Sequence, residues 1–187
     1  MCIRDSRSDV VISTKARIVR DGKTATRDEL AESIDCSLER LRTDHVDVLH
    51  LHGVAPDQYA YCRDELLPTL LDAKRQGKIR HIGITETAVR DPDHVMLHEA
   101  VDEGPWEVVM FAFHMLNQNA RERLFAACLE RGVGTLLMFV VRNIFSEPGY
   151  LGRTIRDLMA EERIEPGNVD PDAPLDFLIH ADGAKDL

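Results

Sequence analysis

The chain has 187 residues, 44% of them hydrophobic and 30% charged, and its 33 acidic against 23 basic side chains give a formal charge of −10. This is the composition of an ordinary globular domain with enough apolar residues for a sizeable core, and its acidic balance disfavours binding to a phosphate backbone, so no nucleic-acid partner is expected. There is no twenty-residue apolar run, no secretory h-region and no C-x-x-C pair among Cys2, Cys36, Cys62 and Cys128. No membrane partner and a reducing, cytoplasmic location are therefore expected, with Cys128 as a small core residue.

Residues 1–8 show no periodicity and read as a non-native or disordered start; the folded part is expected over 9–187. Val10 to Lys15 is a β-branched run too short for a helix and is predicted to be a strand. Thr26-Arg27-Asp28-Glu29 is a capping box, and Leu30, Ile34, Leu38 and Leu41 fall on one face of the helix that it starts. His45 to Gly53 follows as a buried strand whose apolar run closes on two histidines, so strand, helix and strand make a unit whose strands run parallel.

The same grammar repeats along the chain. A helix is predicted from Glu65 to Gln76, with Pro68 in its first turn and Gly77 as its stop. Ile79 to Thr85 is the next strand, and Asp91-Pro92 is a cap and first-turn proline for a helix that carries Val95, Leu97, Ala100 and Val101 and ends at Gly104. Val108 to Phe113 is a strand, Arg121 to Arg131 a helix stopped by Gly132, Thr135 to Val141 a longer strand and Tyr150 to Arg163 a helix. A turn-rich loop from Pro166 to Pro174 leads into a helix start at Ala173 to His180.

Five parallel strands alternating with helices fit either an open doubly wound sheet or part of an eight-stranded barrel. No G-x-G-x-x-G follows any strand, which removes the main signature of the first. The expected fold is α/β, a partial (β/α)8 TIM barrel of about five parallel strands with their helices, incomplete at both ends.

In such a barrel the reactive side chains stand at the carboxyl ends of the strands. Those positions hold Lys15, His52, Thr85 with Glu86, the Phe113-His114 region, and Met138-Phe139 with Arg142 beyond. A lysine closing an apolar strand is costly to bury unless it is paired or functional. His50 and His52 point the same way because side chains alternate along a strand. From spacing alone they are either half of a zinc site or one catalytic histidine beside a packing one.

Read in order, several of these segments resemble the aldo-keto reductase family. Val-Val-Ile-Ser-Thr-Lys15 resembles its third strand, which ends in a catalytic lysine. Ser37-Leu38-Glu39-Arg40-Leu41 with Val46-Asp47-Val48-Leu49-His50-Leu51-His52 resembles the next helix and strand. Gly77-Lys78-Ile79-Arg80-His81-Ile82-Gly83-Ile84, Phe113-His114-Met115-Leu116-Asn117 and Gly132-Val133-Gly134 resemble later strands of the family.

The resemblance implies NAD(P)H-dependent reduction of a small aldehyde or ketone by hydride transfer, with NADP(H) as cofactor and a carbonyl compound as substrate. The family's catalytic histidine stands five residues after the aspartate of its strand, which selects His52, and Lys15 takes the lysine role. The family's tyrosine and aspartate belong to a segment before Asp9, and its main contacts to the cofactor phosphates to one after Leu187. The chain by itself is accordingly expected to expose strand edges and to lack activity.

The resemblance also implies cofactor-binding positions at Thr85 and Glu86, where many members hold the nicotinamide carboxamide with serine and asparagine. A third lies at Met138, where the stacking ring is usually tyrosine; the glutamine expected on the sixth strand is Met110. A glutamate cannot donate as an amide does, while methionine can still pack on a ring. No metal is expected. Two other readings stand beside this one: a metal-dependent hydrolase barrel built on His50 and His52, and a non-catalytic nucleotide-binding scaffold.

Overall fold

A computed structural model describes residues 7–20, 22–114, 117–141 and 146–176. Met1 to Ser6, Met115 and Leu116, Arg142 and the chain from 177 onward, including most of the Ala173 to His180 helix start, lie outside the described residues. The chain divides into two compact units, Met1–Met138 and Phe139–Leu187.

The first unit is built on one sheet of five parallel strands: β1 (Ser13–Arg17), β4 (Val46–Val54), β5 (Ile79–Glu86), β6 (Val108–Ala112) and β7 (Gly134–Met138), adjacent in that order. Between β1 and β4 lies a short antiparallel pair, β2 (Val19–Arg20) and β3 (Lys23–Thr24), in the stretch expected to be plain loop. The helices are α1 (Arg27–Leu41), α2 (Pro56–Tyr61), α3 (Leu67–Arg75), α4 (Val95–Glu103) and α5 (Leu124–Arg131). Strand, helix, strand in one rising series is the partial (β/α)8 barrel expected.

Leu49 and Leu51 of β4, Ile82 and Ile84 of β5, and Val109 and Phe111 of β6 share one face with the helices and form the core with Leu30, Ile34, Leu70 and Leu97. Each such side chain contributes about 1.5–3 kcal/mol by leaving water. The alternate residues form the other face in layers: Lys15, His50, Gly83, Val108 and Gly134 share one register, and Arg17 with His52 and Met110 with Leu136 stand one step nearer the carboxyl ends.

Local chemistry explains where the element boundaries moved. The capping box forms as read: Glu29 accepts from the Thr26 amide at 2.7 Å and the Thr26 hydroxyl from the Glu29 amide at 3.3 Å. β1 begins at Ser13 rather than Val10 because the Ile12 amide donates to Asp47 Oδ2 at 2.8 Å and the Ile12 carbonyl accepts from the Asp47 and Val48 amides, which ends the ladder there. Lys15 therefore lies mid-strand, with Arg17 at the end. Arg7, in the stretch expected to have no structure, sits in a turn over Arg7–Asp9 and pairs with Asp47 at 2.9 Å.

The helix expected from Glu65 begins earlier, at Pro56, and runs into α3 through a π-helical turn over Cys62–Leu66 in which the Leu67 amide reaches Cys62 O. A widened turn just ahead of Pro68 accommodates a residue that has no amide hydrogen to donate. α4 begins at Val95, not Pro92, yet Asp91 still caps it, its two oxygens accepting from the Val95 and Met96 amides at 2.8 and 2.9 Å. β7 stops at Met138 because Phe139 turns to φ +63°, and its Leu136 and Leu137 remain 36% and 40% exposed.

In the second unit α6 (Tyr150–Ala160) is followed by turns up to residue 176. Gly152 of α6 lies so close to the Pro171 carbonyl that a Cβ would stand 2.4 Å from it. Among the described residues no helix is long and apolar enough to cross a membrane.

Candidate active site

β4 closes on His50-Leu51-His52-Gly53, and the two histidines occupy different environments. His50 is fully buried, its Nε2 3.1 Å from Ser13 Oγ, and its ring packs against Gly83, where an added Cβ would come 2.2 Å from Nδ1. Burial, then the Lys15 cation, then His52 push its pKa from 6.5 down to about 4, opposed weakly by the Ile84 backbone. His52 is exposed, and burial of part of its ring, then Lys15, then Arg17 hold its pKa below the ordinary value. Both imidazoles are thus neutral near pH 7.

The His50 shift makes stability depend on pH. Between pH 6.5 and about 4 the unfolded chain binds a proton that the folded chain refuses, so this contribution is complete above pH 6.5 and is lost as the pH falls through that window. The full shift corresponds to about 3 kcal/mol. Urea midpoints measured from pH 7 to pH 4 should fall steadily in the native sequence and less steeply in His50→Gln; equal slopes would show that His50 does not carry the effect.

Lys15 and Arg17 are both exposed on β1, beside His50 and His52 respectively, and neither makes an ion pair or hydrogen bond among the described residues. Sequence reasoning placed Lys15 at the strand end; the register gives that place to Arg17, although Lys15 still acts on both imidazoles.

The strand end carrying His52 is fixed by its neighbour. Gly53 adopts φ +69°, which glycine tolerates without strain; its amide donates to Thr85 Oγ1 at 2.8 Å, and its carbonyl accepts from Thr87 Oγ1 at 2.6 Å. The same place carries the register shift between Leu51 and Val54. Irregularities of this kind occur beside functional sites, and this one lies next to the exposed His52 at the sheet's carboxyl edge.

Thr85 is buried by this contact, and Glu86 is buried in another: Oε2 accepts from His94 Nδ1 at 2.6 Å and Oε1 from the Ala112 amide at 2.8 Å. Both oxygens of Glu86 are engaged inside the protein. Met138 is half-buried at the end of β7, its carbonyl accepting from the Phe113 amide at 3.3 Å. Sequence reading missed three participants: Arg17, Thr87 and His94. A lone glycine inside the predicted strand Ile79 to Thr85 was the one available signal, for the close approach of His50.

The two-nitrogen metal arrangement finds little support in this geometry, since His50 is buried with one nitrogen on Ser13 while His52 is exposed. Among the described residues no group of three His, Cys, Asp or Glu side chains could hold a metal ion. Tyr59 donates nothing to this site either: it is buried and accepts from Trp106 Nε1 at 3.2 Å, while Tyr61 donates to the Ala25 carbonyl at 3.1 Å.

Comparison with known proteins matches residues 2–163 to the aldo/keto reductase family. The chain is 31% identical over 131 residues to L-galactose dehydrogenase of Arabidopsis thaliana, covering 70% of this chain and 40% of that protein. It is 26% identical over 141 residues to the NADH-specific methylglyoxal reductase of Escherichia coli, covering 68% of this chain and 42% of that one. A thermostable aldo-keto reductase solved with the inhibitor epalrestat superposes with a TM-score of 0.61 at 25% identity, over 94% of this chain and 60% of that structure. The chain therefore spans well under half the length of these two curated relatives, and it belongs to the aldo/keto reductase family.

Proposed function

We propose that the chain supplies the carbonyl-facing part of a nicotinamide-dependent reductase of aldehydes or ketones. The observation that supports this reading most is a neutral, exposed His52 at the carboxyl end of β4, flanked by the unpaired cations Lys15 and Arg17. A neutral imidazole N–H donates a hydrogen bond to a carbonyl oxygen and orients it. Lys15 stabilises negative charge as it develops on that oxygen. Reduced nicotinamide, when bound, supplies the hydride.

The cofactor positions fit unevenly. Met138 offers an apolar side chain to a flat ring, whereas Thr85 and Glu86 already spend their oxygens on Gly53, His94 and Ala112. We assign those two to holding the strand ends in place. The preferred cofactor under this reading is NADP(H), the location is the reducing cytoplasm, and the substrate is a small carbonyl compound.

The test is NADPH and NADH oxidation by the full-length protein with methylglyoxal and other small aldehydes. Turnover is expected, and His52→Ala should lower kcat by about 10²–10³-fold, as removal of one oxyanion-stabilising donor does. Normal turnover in His52→Ala, or tight nucleotide binding with no turnover on any aldehyde, would overturn it, the latter in favour of a nucleotide-binding scaffold.

A further inference from the structure

Resting on that reading, we infer that Arg17 is a specificity-determining residue and that the substrate carries a carboxylate next to its reactive carbonyl, as in a short 2-oxo acid. The first support is register. Arg17 is the direct partner of His52 across the β1–β4 ladder, so the two side chains leave the same face of neighbouring strands, about 4.8 Å apart at the backbone. A group bound at His52 lies within reach of the Arg17 guanidinium.

The second support is charge. The charges acting on His52 are both positive, those of Lys15 and Arg17, and neither cation has a carboxylate partner among the described residues. In a chain with a net charge of −10, these two stand together on one exposed strand face, at the end of the sheet that carries His52. At the amino ends of the same sheet cations are paired instead: Arg7 and Arg80 converge on Asp47, and Lys74 on Glu107.

The third support is chemical fit. In a 2-oxo acid the carboxylate is bonded directly to the carbonyl carbon, so a carbonyl oxygen held by His52 leaves the carboxylate beside it, facing the neighbouring strand. A guanidinium presents two parallel N–H donors that match a carboxylate's two oxygens, a geometry that an ammonium lacks. Lys15 stands one layer deeper on the same strand, opposite His50, so Arg17 is the cation level with a group bound at His52.

The experiment compares pyruvate with its neutral ethyl ester in the full-length protein. The ratio of kcat/KM for pyruvate to that for ethyl pyruvate is expected to fall roughly 30-fold in Arg17→Ala and to recover in part in Arg17→Lys, as loss of a charge-assisted bidentate contact predicts. A ratio that stays constant across the three proteins overturns the assignment. A second measurement needs no turnover: histidine side-chain NMR of the same proteins titrated with pyruvate. A saturable shift of the His52 signals that weakens at least tenfold in Arg17→Ala supports carboxylate binding even if no carbonyl is reduced, which would sink only the reductase reading. Reduction that persists with an unchanged ratio and an Arg17-independent titration sinks only the role of Arg17.

Discussion

Gly83→Ala is expected to destabilise the protein by about 2–3 kcal/mol, although alanine is ordinarily the better residue in a strand. The backbone of Gly83 is not in the left-handed region, so alanine meets no conformational strain there, and the reduced freedom of its unfolded chain should even stabilise by about 0.4–1 kcal/mol. Against this stands one steric fact: the new Cβ would lie 2.2 Å from His50 Nδ1 and 2.6 Å from Cε1. His50 has nowhere to go, being fully buried and hydrogen-bonded to Ser13, so the overpacking cost of about 1–3 kcal/mol takes its upper range. A double-mutant cycle isolates the cause. With His50→Ala in the background, Gly83→Ala should become neutral or stabilising, a coupling of at least about 2 kcal/mol in urea unfolding. Additive costs would mean that Gly83 is required for some other reason.

That contact also ties packing to function. A glycine in β5 admits an imidazole from β4, and the imidazole in turn sits under the exposed His52 and beside Lys15. The layer below the candidate site is therefore set by a pair of residues, neither of which touches substrate in the proposed reading.

How far the sequence could be read follows from which signals are local. The capping box at Thr26 and the glycine stops at Gly77 and Gly132 involve residues a few positions apart, and they form where expected. Asp91 caps its helix as expected, but from four residues ahead of the first turn, because His94 takes φ +58° and extends the entry. The start of β1 depends on Asp47, 35 residues away, whose carboxylate claims the Ile12 amide. No periodicity in Val10 to Lys15 reveals that. The strand also ends two residues later than expected, at Arg17, which is why Arg17 went unnoticed while Lys15 was singled out.

At the site itself His52 was reachable because its strand is continuous and its histidines alternate. The roles of Thr85 and Glu86 were not, since a hydroxyl or carboxylate at a strand end reads the same whether it faces a ligand or the protein. What decides is a glycine carbonyl and amide in the bulge of β4 and an imidazole in a loop, both long-range partners.

Glu86→Ala should cost about 2–5 kcal/mol, since a buried donor left without its acceptor costs about 1–3 kcal/mol and two donors lose theirs here. The carboxylate is surrounded by protein, and its removal leaves both the His94 Nδ1–H and the Ala112 amide without acceptors. His94 Nε2 is already buried without a partner, so the imidazole has no second bond to fall back on. Glu86→Gln retains one acceptor oxygen and should lose only about 1–2 kcal/mol. At His94 the alanine and glycine variants lose the same contact, but glycine also relieves the φ +58° backbone and should be the more stable of the two by about 1 kcal/mol. Chemical unfolding of these four variants separates the two accounts of Glu86. A loss below about 1 kcal/mol in Glu86→Ala, accompanied by weaker nucleotide binding, would return Glu86 to the cofactor. A large loss graded from glutamine to alanine, with the His94 pair ordered as stated, identifies it as the carboxylate that locks the ends of β5 and β6 behind the site.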